Sequence, residues 1–302
     1  MYSDIKAAVA GSINMDMIFN MHRVPDVGEN VTGTTYGYAN GGKGANQATA
    51  LARLGAQTKM IGKVADDENG RKLIENLVRN NIDVTGVSTD GTQTGLAAII
   101  IDCDGRNRIV VYEGANAEIN PDKAAHCITD ELDLLLVQFE TDEKVVAECV
   151  NKAVANGIVT VIDCGPAKEF ALEKMQGATV ITPNESETKA LTGIYPESES
   201  DILEASKILL ERSKARYAVL KLGERGCSVW DGETLRIMAA YPTKVVDTTA
   251  AGDCFTAAMA LEFIRTKDIY AACDMGNRAG GIAVSRLGAD ASVPTVEELN
   301  SF

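Results

Sequence analysis

Along this chain short, almost continuously apolar runs alternate with longer stretches whose apolar residues recur at helical spacing. The plainest run is LDLLLVQF at 132–139, which lacks the in–out alternation of a half-exposed strand and predicts one buried on both faces. Similar runs predict strands over 7–11, 58–64, 159–163, 179–182 and 217–222. The helical period predicts helices over 45–54, 70–80, 143–156, 202–212, 253–265 and 269–286. Strands and helices in turn are how a parallel sheet with crossover helices is written. The expected fold is therefore α/β, a three-layer α/β/α domain with a mainly parallel central sheet.

Two segments interrupt the alternation. Residues 16–38, with Pro25, Gly28 and Gly33, and residues 94–113, with the turn CDGRN at 103–107, read as strand–turn–strand. Inserted after early strands, they form either two surface hairpins or a small β-sheet lid over a site. The acidic run PESESD at 196–201 reads as a solvated loop. With no repeat or linker in view, one catalytic domain is expected over residues 1–302.

Charge and cysteine usage restrict the partners. The formal charge is −14, from 43 acidic against 29 basic residues, so the field of the molecule repels nucleic acid and anionic membranes. Any phosphate must then be held by backbone amides, a few cations and a metal. Seven cysteines, odd in number and without a C-x-x-C pair, suggest neither a zinc site nor a disulfide framework. Together with an N-terminus lacking a signal-length apolar run, this predicts a cytoplasmic protein. His22 and His126 have no partner spacing and read as ordinary surface or lid residues.

The richest stretch is KVVDTTAAGDCFTAAMALEF at 244–263. A β-type run ends at Asp247, small residues follow, and an apolar helix opens with Asp253 near its start. Ala250, Ala251 and Gly252 leave backbone N–H groups free at a helix N-terminus, which is an anion site. Asp253 beside that site is either a plain N-cap or a general base for a hydroxyl attacking phosphorus. In NGGKGANQATALARLGA at 40–56, a glycine cluster opens a helix and Lys43, Asn46 and Gln47 offer polar groups at its mouth. Residues 37–43 match G-x-x-x-x-G-K, but Gly44 stands where a P-loop needs Ser or Thr, so no Walker site is expected. A helix cap packed closely on a strand reads equally well there.

Three shorter signals remain. Asn14 and Asp16 in GSINMD share a strand face and either hold two hydroxyls of a polyol or form a turn. In TPNESE, Asn184 and Glu187 suit a magnesium ion held through water, or a capping box. KLGERG at 221–226 turns on two glycines, Gly223 and Gly226, admitting a nucleotide or making an ordinary tight turn.

In order, GSINMD, GGKGANQA, TPNE, KLGERG, DTTAAGD and GADASVP resemble the ribokinase family of PfkB-type carbohydrate kinases over essentially the whole chain. The resemblance implies ATP-dependent phosphorylation of the primary hydroxyl of a small sugar, with D-ribose converted to ribose 5-phosphate. It implies Asp253 as catalytic base and Ala250, Ala251 and Gly252 as anion hole. Asn14, Asp16, Gly42, Lys43, Asn46, Glu140 and Asp253 match its sugar-binding positions. Asn184, Lys221, Gly223, Gly226, Gly252 and Asn277 match positions around ATP, although relatives commonly carry Thr where Lys221 stands. Asn184 and Glu187 match the motif that organises Mg2+. Asp247, Thr249, Ala283, Arg286, Gly288 and Ser292 match a loop pair that binds K+, mostly through carbonyls. A homodimer joined through the lid is also implied. Alternatives are another acceptor (a nucleoside, deoxyribose, fructose or another ketose) or a sugar- or nucleotide-binding protein without turnover.

Overall fold

A computed structural model describes residues 2–302. The central sheet is built from β1 (Lys6–Ala10), β4 (Gln57–Ala65), β5 (Asp83–Gly91), β8 (Leu134–Gln138), β9 (Val159–Asp163), β10 (Val180–Thr182), β11 (Tyr217–Lys221), β12 (Cys227–Trp230) and β13 (Leu235–Met238). Across it the order is β13-β12-β11-β10-β9-β8-β1-β4-β5. The run from β11 to β5 is parallel throughout, and β12 and β13 add an antiparallel edge. A separate sheet, in the order β3-β2-β6-β7, comprises β2 (Asn14–Met21), β3 (Gly33–Gly41), β6 (Gly95–Ile101) and β7 (Asn107–Tyr112).

The helices are α1 (Lys43–Arg53), α2 (Glu68–Arg79), α3 (Pro121–His126), α4 (Glu143–Ala155), α5 (Glu185–Thr192), α6 (Glu199–Ser213), α7 (Ala251–Thr266), α8 (Ile269–Val284), α9 (Ala289–Ser292) and α10 (Val296–Ser301). Two apolar cores prove the three layers. Val9, Leu134 and Leu136 pack with Leu51, Leu73, Met259 and Ile282 from α1, α2, α7 and α8. Their neighbours in the strands, Ala8, Leu135 and Val137, pack on the opposite face with Val146, Leu191 and Leu209 from α4, α5 and α6. Because adjacent strand residues point to opposite faces, the unbroken apolar run at 134–137 feeds both cores.

The two interrupting segments are those that pair into the separate sheet, with β2 parallel to β6 and the other pairs antiparallel. The G-x-x-x-x-G-K match is no phosphate loop, since 37–41 is the end of β3 rather than a turn. One expectation needs correcting. The acidic run at 196–201 is only partly a loop, because Ser198 caps α6 and forms a reciprocal capping box with Asp201, drawing 199–201 into the helix. His22 and His126 are both exposed.

Candidate active site

The site is assembled at the C-terminal ends of the parallel strands, where the chain leaves β1 and returns through α1. Gly42 precedes α1 with φ 87°, and a Cβ there would lie 2.8 Å from the Asn14 amide and the Ser12 carbonyl. Only glycine fits such a backbone approach. The helix has no side-chain cap of its own. Its first amide, from Lys43, instead donates to Glu140 Oε2 at 3.0 Å, and the Ser12 hydroxyl donates to the same oxygen. A carboxylate from the loop after β8 thus serves as the cap, favoured by the positive end of the helix.

Asn14 and Asp16 lie two apart on β2, on one face of the small sheet. Asn14 is buried and its Oδ1 accepts from Asn116 Nδ2 at 2.7 Å, an interaction that fixes the amide's orientation. Asp16 stands near Glu140 with no protein donor on its carboxylate among the described residues. Burial, then the Glu140 charge, pushes its carboxyl up to about 7.

Asp253 is not the N-cap of α7. That position is Ala250, held in the left-handed region at φ 58° without a side-chain cap. An alanine in that conformation costs about 1 kcal/mol, which glycine would avoid. Ala251 donates its amide to the Thr248 carbonyl at 3.3 Å, whereas those of Gly252 and Asp253 meet no acceptor among the described residues. Asp253 is 4% exposed and its carboxylate turns towards α1. Its Oδ2 accepts from Asn46 Nδ2 and its Oδ1 from Gln47 Nε2, each at 3.1 Å, and Lys43 Nζ lies 3.6 Å from Oδ1. Two distant stretches of sequence therefore meet at one carboxylate.

The remaining predicted residues fall around this centre. Asn184 and Glu187 form a reciprocal capping box at the start of α5, with Glu187 Oε2 accepting the Asn184 amide at 2.7 Å. Gly226, at φ 91°, lies against the backbone of 238–240, and the Asn277 amide donates to the carbonyls of Met238 and Ala239, at 3.3 Å each. Gly223, at φ 58°, turns the chain between β11 and β12. Asp247 ties the last two loops together, since Oδ1 accepts from the Thr249 amide and hydroxyl while Oδ2 accepts from the Gly288 amide at 2.9 Å. Ser292 is buried and donates to the Ala289 carbonyl. The Arg286 side chain is drawn off to Glu298, which leaves only its backbone for the loop, and Ala283 sits at the end of α8. Among the described residues no group of three or more His, Cys, Asp or Glu is placed to hold a metal.

A family model for pfkB family carbohydrate kinases matches residues 4–296. The chain belongs to that family. The ribokinase of Bacillus subtilis is 36% identical over 304 residues, covering 97% of this chain and 98% of its own. Among solved structures, a ribokinase of Arabidopsis thaliana complexed with ribose and ATP superposes with a TM-score of 0.87 at 27% identity, over 98% of each chain. A ribokinase of Thermotoga maritima gives 0.86 at 31%, again over 98% of each.

In this pfkB-family kinase the buried floor of the site is organised by Asp163, a residue the motif reading passed over. It closes β9 with 0% exposure. Its Oδ2 accepts from Lys221 Nζ at 2.8 Å, from the Thr256 hydroxyl at 3.0 Å and from Gln47 Nε2 at 3.2 Å, while Lys43 Nζ lies 3.7 Å from Oδ1. Gln138, at the end of β8, donates in turn to Gln47 Oε1 at 2.6 Å. Burial alone would raise the Asp163 carboxyl, but Lys221 and Lys43 outweigh it and hold the group ionised. Burial would likewise lower both lysines, and the facing carboxylates, Asp163 foremost, raise them instead. Glu187 is pushed up by burial, against the pull of Lys221. The result is a largely buried cluster of charged side chains. Such a cluster survives only where every member is paired.

Proposed function

We propose that this chain phosphorylates the primary hydroxyl of a small sugar from ATP, with D-ribose as acceptor and ribose 5-phosphate as product. The observation that carries the reading is the Asp253 carboxylate, set in the first turn of α7 beside the unpartnered amides of Gly252 and Asp253 and steadied by Asn46 and Gln47. The similarity to ribokinases over nearly the full length supports ribose as the sugar.

In this reading Asn14, Asp16, Gly42, Lys43, Asn46 and Glu140 grip the ring hydroxyls and aim O5 at the γ-phosphorus. Asp253 takes the O5 proton as the O5–phosphorus bond forms and the bond to the β-phosphate oxygen breaks, releasing ADP. Ala250, Ala251 and Gly252 present backbone dipoles to the transferred group, a contribution that is typically about 2.7–4 kcal/mol per donor. Lys221, Gly223, Gly226 and Asn277 line the nucleotide side. The small sheet acts as lid, excluding water that would otherwise compete as acceptor.

Magnesium, which neutralises phosphate charge, suits Asn184 and Glu187 only through water, because the capping box already engages both Glu187 oxygens. Potassium suits the loop pair of Asp247, Thr249, Ala283, Arg286, Gly288 and Ser292, mostly through carbonyls, where the Asp247 carboxylate ties Thr249 to Gly288. Free cysteines throughout support a reducing, cytoplasmic setting, and no helix among the described residues is long and apolar enough to cross a membrane.

Asp253→Asn tests the central role. Its kcat is expected to fall about 100-fold or more while ribose affinity, measured by calorimetry, stays close to that of the parent. Turnover near the parent rate would remove Asp253 as the base.

A further inference from the structure

Lys221 is the least explained charge in the site. It ends β11, and its side chain is only 11% exposed. Burying an ammonium is costly, and a strand end could turn such a side chain to solvent. Instead it points inward, pairs with Asp163, and stops beside the first turn of α7. A Cβ built on Gly252 would lie 3.8 Å from Lys221 Nζ and 3.9 Å from its Cδ. The space that glycine leaves open at the anion turn is therefore walled on its far side by this ammonium. Among the described residues Lys221 supplies the only heavy atoms within 4 Å of the built Cβ, apart from α7's own backbone and the glycine's chain neighbours.

Asp163 divides its two oxygens between two cations. Lys43 stands at Oδ1, on the side of Asp253, and Lys221 at Oδ2, on the side of Gly252. One carboxylate thus sets the spacing between the cation next to the attacking end and the cation next to the anion turn. Thr256 strengthens the link, for its hydroxyl lies 3.0 Å from Asp163 Oδ2 and 2.9 Å from the Gly252 carbonyl, joining β9 to the first turn of α7.

Resting on the kinase reading above, we propose that Lys221 contacts the γ-phosphoryl group of the bound nucleotide at the Gly252 turn, and that Asp163 is the positioning residue that holds it there. The amides of Gly252 and Asp253 approach the group from one side and the ammonium from the other. A contact made to the γ- rather than the β-phosphate distinguishes a triphosphate from a diphosphate. Lys221 thereby favours entry of the donor and exit of ADP, and the charge it carries stays in place while charge shifts from the γ-group to the leaving oxygen.

The test compares two probes, Mg-ADP and the magnesium complex of the non-hydrolysable β,γ-imido analogue of ATP, each titrated calorimetrically into protein saturated with ribose. Lys221→Met alone leaves Asp163 short of a partner. The double variant Asp163→Asn with Lys221→Met removes both charges and keeps the fold measurable by thermal unfolding. In either variant that folds, affinity for the analogue is expected to fall about 10- to 100-fold, with ADP affinity changed less than about 3-fold. Asp163→Asn alone should lose part of the same preference, and Lys221→Arg should retain most of it. Equal losses for both nucleotides, or an unchanged ratio, would overturn the proposal and leave Lys221 a structural ion-pair partner. The parent enzyme separates this from the broader reading: if it releases no ADP with ribose and ATP, the kinase assignment fails, whereas an active parent with unaltered nucleotide preference in the variants refutes the Lys221 contact alone.

Discussion

Asp16 carries a pH dependence that can be signed from its surroundings. Its carboxyl rises from 3.8 to about 7 because it is buried and faces Glu140. A carboxyl raised on folding stabilises the folded chain while protonated, so that contribution is full below about pH 4 and is lost as pH climbs towards 7. Sugar hydroxyls donate best to the ionised form, so binding near pH 6 should expel a proton. Calorimetry of ribose binding in buffers of different ionisation heat should show that release, and the dissociation constant should fall from pH 6 to pH 8. Proton uptake, or affinity that ignores pH, would take Asp16 out of the sugar pocket. At this scale the polar residues next to glycine clusters were legible, because special backbone and ligand-facing groups cluster in sequence. Asp163 and Gln138 were not singled out. Each closes an otherwise apolar parallel strand, VTVID and LLLVQ, and that was the available signal: a polar side chain at the end of a doubly covered strand must have partners. Which partners these are depends on α1 and α7 arriving from elsewhere. Ser12 and Asn116 act only through such tertiary meetings and left no local trace.

Among elements, the glycine-opened start of α1 is the most demanding. A Cβ on Gly44 would come within 2.7 Å of the Gly11 and Ser12 backbone, which cannot yield as a side chain tip would. Gly44→Ala should therefore cost about 1–3 kcal/mol in urea unfolding and raise the ribose KM by displacing Lys43 and Asn46. A variant as stable as the parent would show that α1 shifts freely on β1. The central parallel strands were readable to within two or three residues because burial on both faces leaves an unbroken apolar run. The edges were not. β5 reads DVTGVSTDG, with two glycines and five acidic or hydroxyl residues on a mostly exposed strand, and β12 and β13 have four residues each. Such strands form because a neighbouring ladder offers hydrogen bonds, a reason that lies outside their own sequence. The capping boxes at Asn184 and Ser198 show the converse, where a local pattern fixes a helix start outright.

For the whole molecule, the small sheet is apolar on both faces away from the site. Ile18, Ile99 and Ile109 align across one face and Phe19, Tyr36 and Ile100 on the other, with Tyr36 70% and Val110 67% exposed. A sheet this apolar is expected to meet a partner, here a second copy of the chain. Sedimentation should give a dimer, and Ile109→Asp with Val110→Asp, one charge on each face, should give a monomer with weakened ribose binding. A monomeric parent would dismiss the lid-to-lid arrangement.

The two inward lysines lie in a body of net charge −14, and their charges are spent on Asp163 and Asp253 within 4 Å. From afar an approaching nucleotide therefore meets only repulsion. Added salt should quicken its capture, because ions mask that barrier over the last Debye length while leaving the dry interior untouched. Stopped-flow arrival rates for Mg-ATP that climb between low and moderate ionic strength would reveal an enzyme whose entrance and floor carry opposite signs.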